Sequence, residues 1–159
     1  MNLTIKTQTF ATPEDQSWLG SKHGTDCADP ITLDSTLFTN TPFPNGIVKS
    51  GTVLAKVTAT GKYGPFVSNL SNGQELPVGF LFTTIDLTGG IFGQAVSDSP
   101  GALLWHGEIV AAKVPQGTGV STTTPGALDT VATTFPVDLT AVSAQEAAII
   151  KFLARFYIV

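Results

Sequence analysis

Val78-Gly79-Phe80-Leu81-Phe82-Thr83-Thr84-Ile85-Asp86-Leu87 is the most strand-like stretch of the chain. It is rich in aromatic and β-branched residues, which suit a pleated, half-buried surface. Thr88-Gly89-Gly90 closes it, and Ser71-Asn72-Gly73-Gln74-Glu75 reads as the turn before it. Upstream, Gly61-Lys62-Tyr63-Gly64-Pro65-Phe66-Val67 is a short strand after a turn. Before that lies Ile47-Val48-Lys49-Ser50-Gly51-Thr52-Val53-Leu54-Ala55-Lys56-Val57, β-branched and broken at Gly51. The cluster Thr41 to Gly46 ends in the turn pair Asn45-Gly46, and Ile31-Thr32-Leu33-Asp34 alternates as a first body strand. Downstream, Ser97-Asp98-Ser99-Pro100-Gly101 has the composition of a plain turn. Residues 102–115 form a long strand or hairpin with Gly107 at a bulge or kink. Short strands at regular spacing with glycine turns predict a small barrel or sandwich.

The two ends differ from this body. Residues 1–30 are polar and Thr-rich, with Leu3, Ile5, Phe10 and Trp18 as isolated apolar points. Leu3, Ile5, Thr7 and Thr9 alternate with their neighbours at the period of a strand, yet no adjacent turn offers a hairpin partner. A lone strand is unstable in water. The expected organisation is therefore an extended N-terminal arm over 1–30 that pairs with another chain, followed by a β-rich body over 31–159. Gln116 to Thr134 is a Gly/Thr/Pro-rich surface loop. Ser143-Ala144-Gln145-Glu146 has the spacing of a capping box and opens a helix to about Ala154, with Ala147, Ile150 and Leu153 or Ala154 on one face. Phe156-Tyr157-Ile158-Val159 is a final apolar strand.

Composition narrows the function classes. At 159 residues and 42% hydrophobic content the chain can build one real core. Charged residues make up only 13%, about half the usual share of roughly 25%. Such a surface fits a protein that buries much of its outside against partners. The net charge of −4 and eight scattered cations lack the basic stripe that nucleic-acid binding needs. The beginning of the chain has no apolar leader, and no segment approaches the ~20 apolar residues of a membrane span. The expectation is a soluble protein made in a cytoplasm, with neither nucleic acid nor membrane as partner.

Reactive side chains are sparse. Ser97 or Ser99 with His106 and Asp98 contains the residue types of a hydrolytic triad but no nucleophile elbow. His23 with Cys27 supplies two ligand types, too few for a structural zinc site, and His23 beside Asp26 reads as a loop hydrogen bond. Gly61-Lys62-Tyr63-Gly64 lacks the ending of a phosphate loop. No catalytic residue, metal or cofactor is expected. Trp105 has its ordinary place in a core, and as an anchor it marks a subunit interface. Its neighbour His106 should point the other way if both lie on one strand.

The order of segments is what resembles a known family. Gly46 to Val57, then Thr60-Gly61-Lys62-Tyr63-Gly64-Pro65-Phe66, then Gly79-Phe80-Leu81, resemble the core of the tailed-phage head decoration proteins, typified by that of lambda. Leu103 to Val110 is similar to their later strand, and Phe152 to Val159 to their ending. Trp18 to Asp26 and Ile31 to Asp34 resemble the leading segment of longer members. The resemblance implies a mainly β, small β-barrel-like (β-tulip) fold with one C-terminal helix and an extended N-terminal arm. It implies a homotrimer on the outer surface of the virion, at threefold and quasi-threefold sites of the major capsid protein, bracing the head against packaged DNA. It implies no enzyme activity and no cofactor. On this reading Leu3, Ile5, Phe10 and Trp18 are the candidate capsid contacts, and Trp105 and His106 the candidate trimer interface. Two alternatives stand beside it: a tail or baseplate trimer, present in fewer copies per particle, and a carbohydrate-binding β-domain, which needs exposed aromatics around a polar concave site.

Overall fold

The structure is a computed structural model and describes residues 14–38, 43, 46–67, 70–87, 98–110, 113–115 and 154–159. Among the described residues the protein is mainly β. The strands are β1 (Asp29–Asp34), β2 (Ile47–Val48), β3 (Val53–Lys56), β4 (Tyr63–Pro65), β5 (Pro77–Leu81), β6 (Ile85–Asp86), β7 (Asp98–Leu104), β8 (Gly107–Ile109) and β9 (Phe156–Ile158). Short 3-10 turns at Thr25–Cys27 and Ser35–Leu37 flank β1. Pairings run in a ring: β1 with β4, β4 with β3, β3 with β5, β5 with β7, and β7 back to β1. The longest ladder is β1 against β7, antiparallel from Asp29↔Leu103 to Asp34↔Asp98. β2 pairs with β6, and β9 runs parallel to β8.

Two apolar clusters share the strands β5 and β7. Ile31, Leu33, Phe38, Phe43, Val48, Leu54, Leu81, Leu87 and Leu103 form one cluster. Trp18, Phe80, Leu104, Ile109 and Phe156 form the other. Phe80 and Leu81 are adjacent and so face opposite sides of their strand, as do Leu103 and Leu104. The registers Phe80↔Leu104 and Leu81↔Leu103 put each pair on its own side. Strands buried on both faces read as continuous apolar runs instead of alternating ones. That is the physical meaning of Phe80-Leu81 and Leu103-Leu104.

The stretch from Val78 to Leu87 is two strands in space. After Leu81 the chain leaves the ring, and Ile85–Asp86 pairs with Ile47–Val48. The crossing is held by Phe82, whose N–H donates to the Ala102 carbonyl at 2.8 Å and whose own carbonyl accepts the Ser50 hydroxyl at 2.7 Å. The break at Gly51 is present, with φ of 84°. Residues 98–101, expected as a turn, are instead the first half of β7. Among the described residues β5 pairs only with residues 103 and 104 of this strand, so Pro100 has no ladder partner on that side.

Residues of the segment 14–30, expected in the arm, pack against the body, and residues 1–13 lie outside the described residues. Trp18 is only 1% exposed. Its indole stacks on Phe80 with centroids 5.5 Å apart, and Phe80 meets Phe156 edge-on at 4.9 Å. Its N–H donates to the Ser50 hydroxyl at 2.9 Å, which satisfies the one polar atom of the buried ring. The backbone from Trp18 to Gly20 lies along β8: Val110 N–H donates to the Trp18 carbonyl, and Gly20 N–H to the Glu108 carbonyl. An isolated polar composition concealed this strap because a single large ring supplies its anchorage. The expected helix from Ser143, the loop 116–134 and the alternating segment with Leu3, Ile5 and Phe10 lie outside the described residues.

Candidate partner-binding surface

The interruption between β7 and β8 creates the most distinctive surface feature. Gly107 has φ of 154°, and a Cβ there would lie 2.9 Å from the His23 carbonyl oxygen. The chain therefore kinks at residues 105–106 before pairing resumes at Gly107↔Phe156. This corrects the expectation that Trp105 and His106 point to opposite sides. Their rings lie together, centroids 4.1 Å apart and tilted by 50°.

Trp105 is 38% exposed and is not a core residue. Its indole N–H donates to the Cys27 carbonyl at 2.9 Å, which fixes the ring's orientation. His23 meets His106 edge-on, centroids 5.5 Å apart and 83° between planes. The sequence placed His23 with Asp26; the structure joins it to His106 across the turn at Gly24. Among the described residues, Nδ1 of His106 is buried without a hydrogen-bond partner. Two imidazoles and one indole thus form an aromatic shelf on a rigid mount. A pinned aromatic loses little side-chain entropy on binding, and this is how interface anchors work.

The strap before Trp18 makes a second feature. Both Glu14 carboxylate oxygens accept the Thr84 N–H, at 3.0 and 3.1 Å, and the Gln16 amide donates to the Phe82 carbonyl. The Asp15 carboxylate accepts the Ser17 N–H at 2.9 Å. This bond, with the Ser17 hydroxyl and more weakly Lys113 and Lys49, holds the Asp15 carboxyl below its ordinary value of 3.8. An open cleft of about 210 Å³ lies here, lined by Asp15, Trp18, Lys49, Thr84, Lys113 and Pro115.

The residue types of a hydrolytic triad are not brought together. Asp98 forms an ion pair with Lys62 at 2.8 Å, Ser99 is buried in β7, and His106 lies against Trp105 and His23. Among the described residues no group of three His, Cys, Asp or Glu side chains is placed to hold a metal ion. Among them, too, no helix is long and apolar enough to cross a membrane. Of the expected partner contacts, Trp18 is enclosed in the body and has no surface to offer, whereas Trp105 and part of His106 are accessible. Sequence reasoning missed Lys49, Thr84 and Lys113; their scatter along the chain carries no spacing signal. No protein-family model matches the chain, and no curated protein matches it.

Proposed function

We propose that the chain is a capsid decoration protein. It binds as a homotrimer to threefold and quasi-threefold sites of the major capsid protein on a mature phage head and stabilises the shell against internal DNA pressure. The supporting observation is the exposed, hydrogen-bond-fixed Trp105 on a β body whose successive segments are those that resemble the decoration family. Trp105 and His106 are the proposed trimer contacts. Leu3, Ile5 and Phe10 are the proposed capsid contacts, on an arm that adds an edge strand to the capsid protein.

Magnitudes explain why trimerisation matters to this function. Ordering about ten arm residues costs on the order of 10–20 kcal/mol. Each strand hydrogen bond returns roughly 0.5–1.5 kcal/mol. Each buried apolar side chain returns roughly 1.5–3 kcal/mol. One arm is marginal by this comparison; three arms on one rigid plug gain avidity by orders of magnitude. Binding then requires a lattice that presents three sites at fixed spacing. The test is co-sedimentation of the full chain with expanded heads that lack it, beside unexpanded heads. The expected result is saturable binding to expanded heads alone, by a species of three times the 16.6 kDa chain mass. A monomer in solution, or no binding to expanded heads, overturns the proposal.

A further inference from the structure

We propose that the turn at Asn72-Gly73 is a self-modifying site, where the chain converts Asn72 to aspartate or isoaspartate through a cyclic imide. The site rests on its own geometry and does not depend on the decoration reading. The reaction joins the Gly73 nitrogen to Cγ of Asn72. The nitrogen must lose its proton, and the Asn72 amide oxygen must be stabilised as it gains negative charge. The two reacting atoms must be held together, ammonia must leave, and water must enter.

The turn supplies each requirement. The Gly73 N–H donates to the Glu75 carboxylate at 2.8 Å, so the proton to be lost already faces a base. The Gln74 N–H donates to Oδ1 of Asn72 at 3.1 Å, and this is the oxygen on which charge develops. The ring closed by that bond contains both Cγ of Asn72 and the nitrogen of Gly73. Nδ2 of Asn72 donates to Oε1 of Gln74 at 3.0 Å, which fixes the rotation of the amide. Gln74 is only 3% exposed, and its own Nε2 donates to the Pro65 carbonyl at 3.0 Å, so the mount is rigid. Gly73 brings no Cβ to obstruct the attack. Asn72 is exposed, which opens the leaving amide to solvent. The chain's other Asn-Gly pair differs in the decisive contact, since the Gly46 N–H donates to the Phe43 carbonyl, a neutral acceptor.

In the first step the Gly73 nitrogen bonds to Cγ of Asn72 as its proton passes to Glu75. The Cγ–Nδ2 bond then breaks, and the amide takes that proton and departs as ammonia. Water opens the imide at either carbonyl, giving aspartate or isoaspartate at residue 72. Each conversion adds one negative charge and removes the Nδ2 donor from buried Gln74.

The test is incubation of the full chain in neutral buffer, with peptide mapping by mass spectrometry at intervals. The reference is a peptide of residues 70–76, which has the same sequence without the fixed turn. Asn72 is expected to convert faster in the folded chain than in the peptide. Glu75→Gln keeps an acceptor for the Gly73 N–H but removes the base. It should slow conversion in the chain at least about tenfold, within the roughly 10²–10⁴-fold that a positioned base supplies at most. Amide spectra of the variant, taken first, establish that the turn is retained, and the comparison of chain with peptide needs no variant. Slower conversion in the chain than in the peptide means that the turn protects Asn72 and overturns the proposal. An unchanged or faster rate in Glu75→Gln overturns it as well.

Discussion

At the scale of single residues, the two tryptophans differ in burial. Trp18 is enclosed, stacked on Phe80 and bonded to Ser50. Trp18→Ala is expected to destabilise by about 3–5 kcal/mol, the usual loss for a large buried aromatic. Chemical denaturation measures it. Trp18→Phe keeps most of the ring but strips Ser50 of its donor, so its loss should be smaller and should shrink further in a Ser50→Ala background. Trp105 is the converse case. Its ring is 38% exposed and contributes little to its own subunit's core. Trp105→Ala should change monomer stability by about 1 kcal/mol or less. If it anchors the proposed trimer, it should weaken self-association by about 2 kcal/mol, roughly thirtyfold. Sedimentation equilibrium separates these effects. A trimer of unchanged affinity removes Trp105 from the interface.

At the scale of elements, local chemistry decided some features and tertiary packing decided others. β3, β4 and β5, and the breaks at Gly51 and Gly107, were legible because β-branched runs and glycines act locally. The two-sided role of β5 and β7 was not, since a continuous apolar run does not say how many cores it touches. Nor was the start of β7: Ser99-Pro100-Gly101 carries turn composition, and only the six-residue ladder to β1 makes it a strand. Trp105 read as a core residue or an anchor, and its exposed geometry was illegible, because the kink folds Trp105 and His106 onto one side. Gly51 tests this account of the elements. Its φ is 84°, and an added Cβ would lie 2.8 Å from the Trp18 and Pro115 rings. Both the backbone conformation and the floor of the cleft require glycine there. Gly51→Ala is expected to destabilise by about 2–4 kcal/mol, from left-handed strain plus displaced packing. Because the indole itself must shift, the Trp18 side-chain N–H resonance should move as well, which a purely local strain at the turn would not cause.

At the scale of the whole molecule, one exposed ion pair and one hydrogen-bonded carboxylate make small contributions to stability that depend on pH, and the strap sets how far the chain can be shortened from its start. Lys62 is raised above its ordinary 10.5 chiefly by its hydrogen bond to Asp98. A raised cation stabilises fully below 10.5, and that contribution is lost as pH climbs through the folded value. Asp15, lowered below 3.8, stabilises above that value and loses its contribution as pH falls through the folded one. The melting difference between Asp98→Asn and its parent should therefore be constant near neutrality and vanish above pH 10.5 as Lys62 discharges. A difference that persists there means the pair is not its source. The strap gives the second test. Glu14 and Gln16 bond to the crossing at Thr84 and Phe82, and these bonds tie the ring to the smaller sheet. Deleting residues 1–13 spares them, whereas deleting 1–17 removes them and leaves Trp18 at a chain end. The longer deletion should be less stable by about 1–2 kcal/mol, two net hydrogen bonds at an exposed site. On the decoration reading both truncated chains should fail to bind expanded heads, yet only the shorter deletion should melt with its parent. Loss of binding in a shorter deletion that melts with its parent then belongs to the removed segment itself, because the Glu14, Gln16 and Trp18 contacts are kept.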